Sequence, residues 1–171
     1  MNPTTAACFV ALGSAMWLIA TDEVRRGREL ASLLAIVVLL VGAGRLYAIL
    51  TGDGPGPDQW LFGEAMQRTG DGRHNRMAFN SALNFALCGT ALLLQLRRSR
   101  FSSAIAQLLA VLVLFSAQAA LIGHVYQSGW FQSLGTFNRM AFPTAVAFAA
   151  LSVAIVTHSS REGLIAIVLS E

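Results

Sequence analysis

The sequence predicts an all-α integral membrane protein: a five-span helical bundle built from repeated hairpins, with short interfacial helices. Three observations lead there. First, 55% of the 171 residues are hydrophobic and only 12% are charged, against roughly 25% charged in soluble domains. Second, several apolar runs approach or exceed the ~20 residues that cross a bilayer as a helix. Third, the chain repeats itself. Asn75-Arg76-Met77-Ala78-Phe79 returns as Asn138-Arg139-Met140-Ala141-Phe142, and each copy opens a long apolar run. Met1-Asn2-Pro3-Thr4-Thr5-Ala6 aligns more weakly with residues 77–82 and 140–145. Self-similarity of this kind marks tandem units that bury their apolar faces against one another.

The whole chain, 1–171, reads as one membrane domain. The first span covers about 3–20. Asn2 and Pro3 suit its start, because proline in the first turn loses no needed hydrogen bond. No basic stretch precedes the apolar run from Ala6, so this segment reads as a span and not as a signal peptide. The loop 21–29 mixes Arg25, Arg26 and Arg28 with Asp22, Glu23 and Glu29. The second span covers 30–50. An outer loop, 51–76, follows; its Gly52-Asp53-Gly54-Pro55-Gly56-Pro57 cannot continue a helix. Within it, 58–66 reads as a short helix that rests Trp60, Leu61 and Phe62 at the headgroups.

The third span covers 77–96. The turn Arg97-Arg98-Ser99-Arg100 leads into the fourth, 101–125. A second aromatic loop, 126–138, carries Trp130, Phe131 and Phe137. The fifth span covers 140–156, with Pro143 tolerated in its first turn. In the tail, Ser159-x-x-Glu162 has the capping-box pattern. Residues 160–170 are too short an apolar run to span, so a helix lying in the interface is expected. The even spans repeat as well: Leu30-Ala31-Ser32-Leu33-Leu34-Ala35 aligns with Ile105-Ala106-Gln107-Leu108-Leu109-Ala110. The order is hairpin, hairpin, and a fifth helix that opens a third copy.

The net charge of +3 rests on twelve arginines, with no lysine. They sit beside apolar runs, where topology and anionic headgroups explain them and nucleic acid does not. Arg25, Arg26, Arg28, Arg97, Arg98, Arg100 and Arg161 fall on one side; Arg68, Arg73, Arg76 and Arg139 fall on the other. The positive-inside rule makes the first side cytoplasmic. A multi-pass protein of the bacterial cytoplasmic (inner) membrane is expected, with its C-terminus inside and both aromatic loops outside.

Catalysis has no foothold. There is no Ser/His/Asp set, no paired carboxylate at depth, no P-loop and no GxGxxG, so the chain reads as non-enzymatic. No Asp or Glu lies within a span, which argues against a proton pump or ion-coupled transporter. Cys8 and Cys88 fall inside spans without a CxxC and read as packing residues. A bis-histidine haem needs two histidines at matching depth, and His74, His124 and His158 do not supply them. No metal or cofactor is expected; contact with a pigment, lipid or quinone is the one such role left open.

The motif Arg76-Met77-Ala78-Phe79-Asn80-Ser81-Ala82-Leu83-Asn84-Phe85, followed by Leu92-Leu93-Leu94, resembles the N-terminal multi-helix membrane region of bacterial sensor histidine kinases and diguanylate cyclases. Those regions carry similar met-x-pro-asn-thr-ala-leu helix starts. Their fourth span ends in a gly-tyr-leu-tyr-gly pattern similar to Gly123-His124-Val125-Tyr126-Gln127-Ser128-Gly129. The tail from Ser160 to Ser170 resembles the segment after the fifth helix there. The resemblance implies a membrane input module that passes a helix shift to a cytoplasmic output domain. These 171 residues hold no kinase, cyclase or PAS sequence, so an excised module or a stand-alone relative is expected.

The candidate contact residues follow from depth and pattern. Arg45 lies inside the second span near its outer end; it either snorkels and pairs with loop carboxylates such as Asp53, Asp58 or Glu64, or meets a ligand. His124 and Tyr126 sit at the outer end of the fourth span. Arg76 and Arg139 occupy one slot in two copies, as headgroup anchors or as cations around an anionic ligand. Trp60, Phe62, Tyr126, Trp130, Phe131 and Phe137 form an interfacial belt, or roof a pocket or meet another membrane subunit. Asn80, Ser81, Asn84, Gln107, Ser116 and Gln118 are suited to interhelical hydrogen bonds, and Gly13, Gly42, Gly44 and Gly89 to close packing. The leading functional expectation is an accessory or structural subunit of a larger membrane complex, of respiratory or photosynthetic type. Its partners would be the bilayer and other membrane subunits, or a second copy, and no nucleic acid. The alternative is the signal-input module, sensing a hydrophobic ligand or membrane state.

Overall fold

Apolar runs bounded by charged or glycine-rich stretches become helices in the computed structural model, which describes residues 2–21, 25–52, 77–97, 99–126 and 140–159. The helices are α1 (Pro3–Thr21), α2 (Arg25–Thr51), α3 (Phe79–Gln95), α4 (Arg100–Tyr126) and α5 (Phe142–Ser159). There is no strand among the described residues. α1, α2 and α4 are long and apolar enough to cross a membrane; α5 is apolar over the shorter stretch Phe142–His158. α2 and α4 have 27 residues each, about 40 Å at 1.5 Å per residue. The short helix expected at 58–66, the aromatic loop 127–138 and the tail 160–170 lie outside the described residues.

Local chemistry sets the ends. Asn2 caps α1, its Oδ1 accepting from the Thr4 N–H at 2.9 Å, which satisfies a donor the first turn leaves open. α2 starts five residues before its apolar run. Its charged first turn stays helical, with Arg25 Nε donating to Glu29 Oε1 at 3.0 Å in an exposed i,i+4 pair that adds little stability. α2 stops at Thr51, where Gly52 takes φ +70°, the left-handed conformation glycine adopts without a Cβ clash. Arg28 Nη2 donates to Leu96 O at 2.6 Å and ties the start of α2 to the end of α3. Threonine hydroxyls bond back along their own helix, as Thr21 does to Trp17 O and Thr90 to Ala86 O.

α2 packs most extensively on α3, and α4 on α5; α1 lies on α2, and α3 on α4. The α2–α3 contact is backbone to backbone. A Cβ at Gly42 would stand 2.8 Å from both Ala82 O and Ala86 N; a Cβ at Gly89 would stand 2.9 Å from Ala35 O. Two glycines, one on each helix, thus hold an antiparallel pair closer than any side chain allows.

α1, α3 and α5 meet at the centre through Phe9, Phe85 and Phe148. Their ring centroids lie 5.0, 4.6 and 4.8 Å apart, within the range of favourable aromatic pairs. Each phenylalanine stands six residues past the first residue of its helix. One turn nearer the helix starts, Thr5, Ser81 and Thr144 are all buried. The first hydrogen bond of each helix is also equivalent: Ala6 N to Asn2 O, Ala82 N to Ala78 O and Ala145 N to Ala141 O, at 3.0–3.1 Å. The even helices match as well. The buried positions Ala31, Ala35, Val38, Gly42 and Arg45 of α2 have the spacing of Ala106, Ala110, Val113, Ala117 and Ala120 of α4.

The close approach generates a pair of outcomes. Gly42→Ala should lower stability by about 1–3 kcal/mol, the usual range for overpacking. Nothing lies within 4 Å of a Cβ placed at Gly13, so Gly13→Ala should be neutral or stabilise by up to about 1 kcal/mol. Denaturant unfolding of both variants in detergent micelles checks the contrast; equal losses would sink it.

Candidate functional site

At the end of the bundle where α1, α3 and α5 begin, two side chains from the even helices reach across to the odd ones. Arg45, on the last two turns of α2, is buried. Its Nε donates to the backbone oxygen of Met77 at 3.2 Å. His124, on the last turn of α4, has Nε2 2.8 Å from Met140 O. A carbonyl only accepts, so Nε2 carries the proton in this contact. Its ring also meets Phe142 edge-on, with centroids 5.9 Å apart.

Met77 and Met140 hold the same place in the two copies of the pentapeptide, and both are buried. In each case a polar side chain from the preceding helix pins the residue at which the chain turns into the next helix. The sequence placed Arg45 and His124 at outer span ends. It did not reveal their shared partner, a methionine carbonyl, because backbone groups carry no signal in residue identity.

Deeper in the bundle, hydrogen bonds join helices pairwise. Asn84 Nδ2 donates to Ser116 Oγ at 3.2 Å, linking α3 to α4. Gln95 Nε2 donates to Ile155 O at 2.9 Å, linking α3 to α5. Asn84 Oδ1, Gln95 Oε1 and Ser152 Oγ are buried without a partner among the described residues. The interior between α3, α4 and α5 therefore offers acceptors to a further donor. Gln95 and Ser152 escape a reading of the sequence because nothing but packing turns them inward. The buried layer of Thr5, Ser81 and Thr144 had a signal in the alignment of the three helix starts.

Cys8 and Cys88 are buried free thiols. Among the described residues no group of three or more His, Cys, Asp or Glu could hold a metal ion. Trp60, Phe62, Arg76, Trp130, Phe131 and Arg139 lie outside the described residues, as do the loop carboxylates considered for Arg45. Tyr126 ends α4. Arg45 and His124 belong to neighbouring corners of the same end of the bundle, and each acts on a different turn.

No protein-family model matches the chain, and no curated protein and no solved structure matches it.

Arg45→Met should lower stability by about 1.5–3 kcal/mol, the range for a hydrogen bond from a charged group, and His124→Phe by about 0.5–1.5 kcal/mol. Unfolding of both variants in micelles tests the order. A larger loss for His124→Phe would show that the Arg45 contact is not the stronger pin.

Proposed function

We propose that this chain is an integral membrane protein of tandem helical hairpins that serves as a non-enzymatic subunit of a larger membrane complex, of respiratory or photosynthetic type. The observation that carries the reading is a surface of large apolar side chains around a core that also buries polar ones. Leu33, Ile36, Leu40 and Leu50 of α2 and Leu108, Leu112, Phe115 and Ile122 of α4 are exposed, while Thr5, Arg45, Asn84, Gln95 and Ser152 are buried. Water would penalise such a surface; lipid and the apolar faces of other membrane helices accept it. The interior hydrogen bonds then act as interhelical ties, each contributing about 0.6 kcal/mol on average in a membrane.

The repeat is part of the proposal. The equivalent helix starts, the phenylalanine cluster and the matched stripes of α2 and α4 support two hairpins, α1–α2 and α3–α4, with α5 opening a third. The arginine distribution supports a bacterial inner-membrane location with a cytoplasmic C-terminus.

A second reading, the signal-input module, is favoured by the resemblance of the helix starts and by the buried acceptors on Asn84, Gln95 and Ser152, which a polar group of a ligand could meet. The two readings part on company. Isolation of the native-length protein from its own membranes in mild detergent should recover stoichiometric partner subunits, identified by mass spectrometry. Recovery alone or as a small homo-oligomer would reject the subunit role and leave the input module. For topology, green fluorescent protein fused after Glu171 should fluoresce, since it folds in the cytoplasm; a dark fusion at normal expression would reverse the orientation.

A further inference from the structure

At the end of the bundle away from Arg45 and His124, a cavity of about 250 Å³ is lined by Arg25, Arg28, Glu29, Ser32 and Leu96. The four residues from α2 recur at helical spacing and so form one polar stripe. Farther along α2 the same stripe continues as Ala35 and Gly42, which meet the backbone of α3. Leu96 lies just past the end of α3 and opposite Arg28, and α2 runs on for another turn to Arg25. The cavity is the notch left where two helices that touch backbone to backbone part company.

Two cations and one anion stand around this notch, each held by a bond of its own. Arg28 is half-buried, and its Nη2 donates to Leu96 O; a guanidinium has five N–H donors, so most of its capacity remains. Arg25 Nε donates to Glu29 Oε1, which keeps both charges on the stripe and takes one of the two carboxylate oxygens. Ser32 Oγ donates to Glu29 O, so toward the notch the hydroxyl can still accept.

The repeat supplies a control. Arg28, Glu29 and Ser32 stand where α4 has Ser103, Ala104 and Gln107. α4 packs extensively on α5 without that charged set, so the packing of an even helix on the next odd one does not require it. Features present in both copies serve the fold. This set is present in one.

We propose that the notch binds the headgroup of an aminophospholipid, with the phosphate between Arg25 and Arg28 and the primary ammonium on Glu29. Guanidinium groups match phosphate oxygens in pairs. The Glu29 carboxylate opposes a purely anionic headgroup and accepts from an ammonium. A choline headgroup has no N–H to give it. The volume is many times what one water needs. A lipid, and not a free phosphate ester, fits the neighbouring surface as well. Leu30, Leu33, Val37 and Leu40 are exposed along the adjoining stripe of α2, a continuous apolar path for acyl chains beginning beside the notch.

The site rests on the membrane reading above and not on the subunit role. Native mass spectrometry of the delipidated full chain tests it, with phosphatidylethanolamine, phosphatidylcholine and phosphatidylglycerol of the same acyl chains at equal concentration. The ethanolamine lipid should be retained preferentially. Arg28→Gln should weaken its binding roughly tenfold, the scale of one bond to a charged group. Because Arg28 also ties α2 to Leu96, Glu29→Gln is the second variant: it should keep the fold and lose the preference for ethanolamine over choline. Arg100→Gln, at an exposed arginine outside the notch, should change nothing. Equal retention of all three lipids by folded protein would overturn the proposal, as would stronger binding of the glycerol lipid or an equal loss with Arg100→Gln. Displacement of the lipid by glycerophosphoethanolamine at the same concentration would make a soluble ester the ligand and overturn the lipid assignment. An alkaline carbonate wash separates the two levels. Release of the protein from its membranes would sink the membrane reading and the site with it, whereas a retained protein without headgroup preference would sink the site alone.

Discussion

The contact between α2 and α3 sets the geometry of the bundle. Gly42 and Gly89 let two backbones approach until a single added carbon on either would overlap the other helix. At that distance the helices lock in register, because the grooves left by the glycines admit one alignment. Phe85 is then carried to the centre, where it meets Phe9 and Phe148. The same pairing brings the last turns of α2 alongside the start of α3, which is what lets Arg45 reach Met77.

The polar groups have a consistent job in this frame. They bridge between helices or hold the carbonyls at which the chain re-enters the bundle. Arg45 and His124 hold the chain at Met77 and Met140 at one end of the bundle, and Arg28 holds it at Leu96 at the other. A buried polar group away from water has to bond to protein, so each one placed inside constrains which helices can be neighbours. The exposed leucines, isoleucines and phenylalanines make no directional bond and impose no such constraint. That asymmetry is why the interior speaks to fold and the surface to function.

Individual residues show how far the sequence could be read. The repeated pentapeptide pointed to where α3 and α5 begin, and Asn2 with Pro3 to where α1 begins, because caps and prolines act locally. The start of α2 at Arg25 was not legible, since hydropathy marks the end of an apolar run and not the end of a helix; charged residues continue one readily. Among the candidate contact residues, Arg45 and His124 stood out by depth, but their partners are backbone atoms 32 and 16 residues away. The aromatic residues of the two loops drew attention by composition alone, and all but Tyr126 lie outside the described residues.

By itself the sequence determined the helical class, from apolar runs long enough to span a membrane, and the order of the helices, from breaks that no helix can cross. The tertiary structure decided which faces meet. Helical periodicity gives α1, α2 and α5 little difference between one side and the other, so residue types alone cannot say which side turns inward. Steric fit at Gly42 and Gly89, and the pairing of buried donors with acceptors, make that choice, and both depend on residues far apart in the chain.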